Sequence, residues 1–240
     1  MLIINNKALK ITNKWLNPIA GSGPTPGPTP PGPIDPYNPL DLPANTVRVR
    51  TSDGNAPIKG GSTSYETATL VAGTSDVYDV YKSGDNFQYL FYLSTNIVEV
   101  LGANTTGITD MYGMFFGCNA ITTVPLFDTT IVTDMRRMFN DCSAITTVPL
   151  FDTTNVTNMY YMLTSCSALT TVPLFNTSKV TNVGGMLWGC TNVQSGALAL
   201  YNQLSSQTTP PSTHDKAFRN CGSNTTTGAA ELAQIPSDWK

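Results

Sequence analysis

The sequence predicts an α/β solenoid in which every repeat contributes one short parallel strand and one short helix, and three observations predict it. A period of 24 runs through the second half of the chain: Met111, Met135, Met159 and Val183 are equivalent, as are Cys118, Cys142, Cys166 and Cys190, and as are the Val-Pro-Leu-Phe blocks at 124–127, 148–151 and 172–175. Within a repeat, Met111, Met114, Phe115 and Cys118 follow the i, i+3, i+4, i+7 spacing of a helix that buries one face. Beyond that stripe, Ile121, Val124 and Leu126 have the LxxLxL spacing of the strand in a leucine-rich repeat.

Taken in order, the elements form four parts. Residues 1–20 carry Lys7, Lys10 and Lys14 without an acid, and the apolar positions Leu2, Ile3, Ile4, Leu9, Ile11, Trp15 and Leu16 suit a short strand or hairpin. This segment is too short to fold alone, and reads as an anchor whose partner-binding residues are Leu2, Ile3, Ile4, Leu9, Ile11 and Trp15; a tail without a partner is the other reading. Residues 21–44 hold GSGPTPGPTPPGPIDPYNPLDLP, in which proline fixes φ and removes donors. At about 3.1 Å per residue, an extended polyproline-like spacer there reaches about 60 Å. Residues 45–86 alternate in VRVR and DVYDVY, a small β subdomain placed where the first repeat would otherwise expose an apolar face.

Residues 87–240 make the solenoid. A degenerate copy at 87–110 puts Phe87, Leu90, Phe91, Ser94, Ile97 and Val100 in register with Met111, Met114, Phe115, Cys118, Ile121 and Val124. Thr109 is expected to cap the first full helix with Asp110 in its first turn, and Thr133, Thr157 and Thr181 repeat the arrangement. KAFRNC sets Cys221 thirty-one residues after Cys190, so seven residues are inserted in SGALALYNQLSSQ, which reads as an extra short helix. GAAELAQIPSDWK reads as a terminal cap.

Composition excludes several function classes. Only 12% of residues are charged, against about 25% in ordinary soluble proteins. A formal charge of -3 on 13 Lys and Arg argues against a phosphate-binding surface, so no nucleic acid partner is expected. No run approaches the roughly 20 apolar residues of a membrane helix, and MLIINNKALKITNKW lacks the apolar stretch and cleavage site of a signal peptide. The chain is therefore expected to be soluble, not inserted in a membrane and not exported by the general secretory route. Five cysteines without a CxxC fit neither a disulfide framework nor a zinc site. The single histidine, His214, lies in TTPPSTHDK beside prolines, and no nucleophile motif such as GxSxG occurs. No enzymatic activity, catalytic residue, cofactor or metal is expected. Residues 111–182 carry seven charged side chains, because Thr, Asn and Ser fill outward positions; such a surface suits a crowded assembly in which charge steers little.

The candidate ligand-binding residues follow from strand alternation. If Ile121, Val124 and Leu126 point inward, then Thr123 and Phe127, Thr147 and Phe151, and Thr171 and Phe175 line the strand face as aromatic rungs flanked by hydroxyls, suited to sugar or protein. The alternative is that each Phe folds back into the turn before Asp128 and packs as core. Asp128, Asp152 and Asn176 form a polar ladder that caps the following turn through an Asx bond rather than holding Ca²⁺. The cysteine ladder is read as a small buried residue between helix and strand, with metal capture or interrepeat disulfides as the other readings. Arg136 and Arg137 occur in one repeat only and are expected on a solvated helix face. N-x-[ST] strings at Asn104, Asn155, Asn176 and Asn224 follow from a repeat rich in Asn and Thr.

The copies MFFGCNAITTVPLFDTTIVTDM and MFNDCSAITTVPLFDTTNVTNM resemble the BspA-like leucine-rich repeats, whose pattern runs MFxxCxxLxxxxxFDTSxVTxM. The resemblance covers about 87–206 well and the ends less well. The strings LPANTVRVR, EVLGANTTGITDMY, VQSGALALYNQ and CGSNTTTGAAELAQIPSDW are similar to proteins of tailed phages of gut Bacteroidales, including the crAss-like group. That resemblance implies a structural virion protein, a head fibre or capsid-decoration protein assembled in the bacterial cytoplasm. Its N-terminus would dock on a capsid or auxiliary capsid protein, the repeats would adhere to the host cell surface or its glycans, and the chain would form a homo-oligomer, preferably a trimer. A bacterial cell-surface BspA-like adhesin, a phage tail fibre and an intracellular scaffold are the alternatives.

Overall fold

Valine and arginine alternate in TVRVRT, which sends the valines to one face of an extended chain and the arginines to the other. In the computed structural model of the protein, which describes residues 42–59 and 65–240, this run is strand β1 (Thr46–Thr51). It joins β2 (Thr67–Leu70), β3 (Val77–Tyr81) and β4 (Ile97–Asn104) in an antiparallel sheet of order β2-β3-β1-β4. Val47, Val49, Val77, Val80 and Ile97 are fully buried. Arg48 faces Asp79 across the β1–β3 pair, and its guanidinium grips both carboxylate oxygens at 2.6 and 2.8 Å. A two-point ion pair between facing residues fixes the strand register. The described residues all fall within the unit Ile34–Lys240. The expected anchor residues Leu2, Ile3, Ile4, Leu9, Ile11 and Trp15 lie outside them.

The α/β solenoid, with a strand and a helix in every repeat, is not what the chain forms. Among the described residues, regular structure amounts to the antiparallel sheet, two short helices, α1 (Ala197–Ser205) and α2 (Thr226–Gln234), and a 3-10 turn at Ser237–Trp239. Between 105 and 196 the backbone consists of turns and single bridges. Parallel bridges join Asn86, Asp110, Asp134, Asn158, Asn182 and Thr213 in succession, so consecutive 24-residue copies lie side by side as coils.

The stripe Met111, Met114, Phe115 and Cys118 is fully buried as its spacing requires, but its backbone is not helical. Gly113, Arg137, Tyr161 and Gly185 have φ of +59, +56, +56 and +62°, and Gly117, Asp141, Ser165 and Gly189 have +73, +60, +60 and +78°. Two left-handed residues per coil break the i→i−4 ladder. The amides alternate instead. Met111, Gly113, Phe115 and Gly117 donate to the carbonyls of Asp134, Arg136, Met138 and Asn140 in the next coil at 2.8–3.0 Å, while Met114, Phe116 and Cys118 close turns onto Met111, Gly113 and Phe115 at 3.0–3.2 Å.

The expected helix caps become rungs for the same reason. Thr133 donates its amide to the Thr109 carbonyl at 2.9 Å and its hydroxyl at 3.3 Å, and Thr157 and Thr181 each do the same to the coil before. Asp110, Asp134, Asn158 and Asn182 each accept the amide two residues on, at 2.8–3.0 Å, as Asx turns.

Both ends of the coils are covered. β4 pairs with β1 on one side, and on the other accepts the Thr122 amide at the Val98 carbonyl (3.1 Å), so it is at once sheet edge and coil. At the far end the seven inserted residues fall at α1. Trp239, nearly buried, lies flat on His214 with ring centroids 4.2 Å apart and edge-on to Tyr201 at 5.3 Å, and its carbonyl accepts the Phe218 amide at 2.9 Å.

Candidate functional site: a leucine-rimmed groove

Proline in Val-Pro-Leu-Phe removes a donor just where strand pairing would need one. The amide of Phe151 reaches back to the Pro149 carbonyl, and that of Phe175 to Pro173, both at 3.0 Å. These three-residue turns have Leu150 and Leu174 at their apex and break the two-residue alternation of a strand. Leu126, Leu150 and Leu174 consequently stand 65, 60 and 52% exposed, whereas Phe127, Phe151 and Phe175 are 6, 2 and 0% exposed. Of the two placements open for the phenylalanines, the structure has the core one, and Leu126, expected inside, is outside. Thr123, Thr147 and Thr171 are exposed but do not line the same feature as the phenylalanines. Thr123 bridges to Glu99, and Thr171 to Ser195.

That inversion creates a groove of about 720 Å³. Leu126, Leu150 and Leu174 form one rim, the phenylalanines its floor, and Asp128, Asp152 and Asn176 the other rim, with Gln203 of α1 at one end. The rings are well fixed: Phe127 and Phe151 have centroids 4.8 Å apart, and Phe151 stacks on Phe139 at 6.2 Å. Phe139 continues a buried column with Phe115 and Phe91 at 5.4 Å per step. Below the polar rim, Thr129 and Thr153 are buried and donate their hydroxyls to the carbonyls of Asp152 and Asn176, both at 2.8 Å. Gln203 and Gln207 end this ladder by donating to the Thr177 hydroxyl at 2.9 and 2.8 Å.

The rim carboxylates are preset as anions. Asp128 Oδ1 accepts the amide and hydroxyl of Thr130 at 2.9 and 2.7 Å, and Asp152 Oδ1 accepts the Thr154 amide at 2.9 Å. The backbone amide first, and the hydroxyl second, hold both carboxyls below the ordinary aspartate value. Among the described residues no three His, Cys, Asp or Glu side chains converge as a metal site would need. The lining is Leu, Phe, Asp, Thr, Asn and Gln, which offers apolar contact, hydroxyls and anionic acceptors.

Alternation alone misplaces Leu126 and leaves Phe127 open between surface and core. The signal that locates the groove is the proline before each leucine, since a residue that cannot donate to a ladder argues against a regular central strand. The Arg136 and Arg137 side chains also depart from expectation: with no helix to stand on, they pack over tyrosine rings.

Residues 85–201 match the model of a family described as Mycoplasma protein of unknown function, DUF285. The match covers most of the coils and is consistent with a BspA-like protein. No curated protein and no solved structure matches the chain.

Proposed function

We propose that this chain is a non-enzymatic structural protein of a phage virion, a head fibre or capsid-decoration protein that recognises the host surface through the leucine-rimmed groove. The observation that carries the reading is the line of three leucines more than half exposed at equivalent positions of successive coils. Burial does not explain them, and an exposed apolar row with polar rims is the composition of a recognition site. The ligand that fits is a protein segment with apolar side chains to cover the leucines and a basic residue to meet Asp128 or Asp152. In this reading residues 1–20 dock on a capsid protein, and the protein assembles as a trimer. Low charge on the repeats suits close packing on a particle.

The test has two arms. Mass spectrometry of purified particles is expected to find the protein, and its absence refutes the virion assignment. Replacing Leu126, Leu150 and Leu174 by Ser in the full chain is expected to abolish binding to host cells while leaving the melting temperature nearly unchanged; full binding by that variant refutes the groove. A second reading is a bacterial cell-surface adhesin of the BspA-like class, with which the repeat family at residues 85–201 is consistent without naming a function. Recovery of the protein from the bacterial envelope and not from particles would select it.

A further inference from the structure

A different face of the coils carries aromatic and cationic side chains that the fold itself does not demand. It is formed by the second, third and sixth positions of the Met-x-x-Met-Phe-x-x-Cys segment. The repeats are their own control. The second position is Tyr112, Arg136, Tyr160 and Gly184 in successive coils, and the sixth is Phe116, Asn140, Thr164 and Trp188. One backbone path accepts all of these, so packing does not require a ring at any of them.

The side chains nevertheless fit one another. Tyr89 and Tyr112 have centroids 4.8 Å apart, and the Arg136 guanidinium lies 4.8 Å from the Tyr112 ring while bonded to Asp134. Arg137 lies 5.4 Å from the Tyr161 ring and 6.0 Å from Tyr160; Lys216 and Arg219 each lie 5.4 Å from Trp188. Glycine makes the room: a Cβ on Gly113 would come within 2.6 Å of Tyr89 Cε1, and one on Gly185 within 2.2 Å of Tyr161 Cε1. The rings are half-buried, held against the coils yet open to solvent. Read along the coils, at about 4.8 Å per step, the face runs aromatic, aromatic, arginine, aromatic, aromatic, cationic.

Charge decides the kind of ligand. Arg136, Arg137, Lys216 and Arg219 are offset by Asp110, Asp134, Asp141 and Asp215, and the chain as a whole is -3. A dense polyanion such as nucleic acid finds no positive field here. Arg137 has no ion pair among the described residues, so its planar fork is available to a carboxylate. Rings present flat apolar faces suited to the C–H faces of sugars. We propose that this strip binds a carboxylated oligosaccharide, with Arg137 taking the carboxylate and Tyr161 and Trp188, in the next two coils, carrying the sugar rings that follow. The site shares no residue with the groove and does not depend on the virion assignment.

The experiment is calorimetric titration of the full chain with oligogalacturonate and with sialyllactose, using a methyl-esterified oligogalacturonate and oligothymidylate as comparisons. Two variants borrow residues that neighbouring coils already carry, Arg137→Gly as at Gly113 and Trp188→Thr as at Thr164. The wild type is expected to bind at least one acidic sugar. It should bind the esterified form more weakly, and each variant is expected to lose about tenfold or more, the loss of one anchoring contact, with an unchanged melting temperature. Absence of binding to both acidic sugars overturns the proposal. So does binding confined to oligothymidylate, or full affinity in both variants.

Discussion

Four of the five buried cysteines donate the thiol hydrogen to a carbonyl of the preceding coil: Cys118 to Phe91, Cys142 to Phe115, Cys166 to Phe139 and Cys190 to Leu163, at 3.0–3.1 Å. A small polarizable side chain with a weak donor suits this slot, adding a second contact to a carbonyl that already accepts a turn amide, as that of Phe91 does from Ser94 at 3.0 Å and that of Phe115 from Cys118 at 3.1 Å. Burial pushes the thiols of Cys118, Cys142, Cys166 and Cys190 well above their ordinary value, and that of Cys221 up to about 12. In the unfolded chain these groups ionise near pH ~8.5, so the stability they confer is complete below that pH. It is lost as the pH rises toward the folded values, by about 1.4 kcal/mol per thiol per pH unit. The expected result is a melting temperature, under reducing conditions, that falls steeply from about pH 8.5 upward. In the native protein at neutral pH none of the five cysteines should react with a thiol reagent, and all five should react in denaturant; rapid native labelling would show that the thiols are not in the core.

At the scale of the element, the sequence carries the period and the buried set but not the backbone that links them. Met111, Met114, Phe115 and Cys118 satisfy helical spacing equally well when left-handed residues sit at the third and seventh positions. A trace of this is legible: MYGMFFGC holds two glycines in eight residues, each costing a helix about 1 kcal/mol. Asp141 and Ser165 obscure it by standing where glycine would be the plainer signal. The described residues should therefore contribute little helix to far-ultraviolet circular dichroism, about that of two nine-residue segments, whereas a helix in every coil would give several times more. The terminal cap offers a sharper test. The Gly228 amide is bonded to the Thr225 hydroxyl at 3.0 Å, and a Cβ there would fall 2.0 Å from the Val193 carbonyl oxygen and 2.7 Å from Gly222 Cα. Because backbone must move, Gly228→Ala is expected to cost about 1–3 kcal/mol in denaturant unfolding. A neutral result would mean that α2 does not close against the last coil as described.

For the whole molecule, covered ends matter as much as the faces. With β4 at one end and Trp239 at the other, the coils offer few free backbone groups for end-to-end growth, so contacts with other molecules fall to the sides. The proposed arrangement on a particle is tested by removing residues 1–20 and following incorporation: the shortened chain is expected to remain folded and to be lost from virions, and equal incorporation would refute the anchor. Size measurement of the full chain in solution is expected to give a trimer.

The sides themselves were only partly legible. Burial of Ile145 and Val148 follows from apolar spacing, but Leu150 and Phe151 beyond them exchange places because a proline-led turn overrides strand alternation, as it does again at Leu174 and Phe175. On that exchange the groove stands or falls, and denaturant unfolding of two neighbouring variants measures it. Phe151→Ala is expected to cost about 3–5 kcal/mol as a large buried side chain is lost, and Leu150→Ser to stay within about 0.5 kcal/mol as a surface change does. A large loss for Leu150→Ser with a small one for Phe151→Ala would put the leucines in the core and the aromatic rungs outside, and would contradict the account.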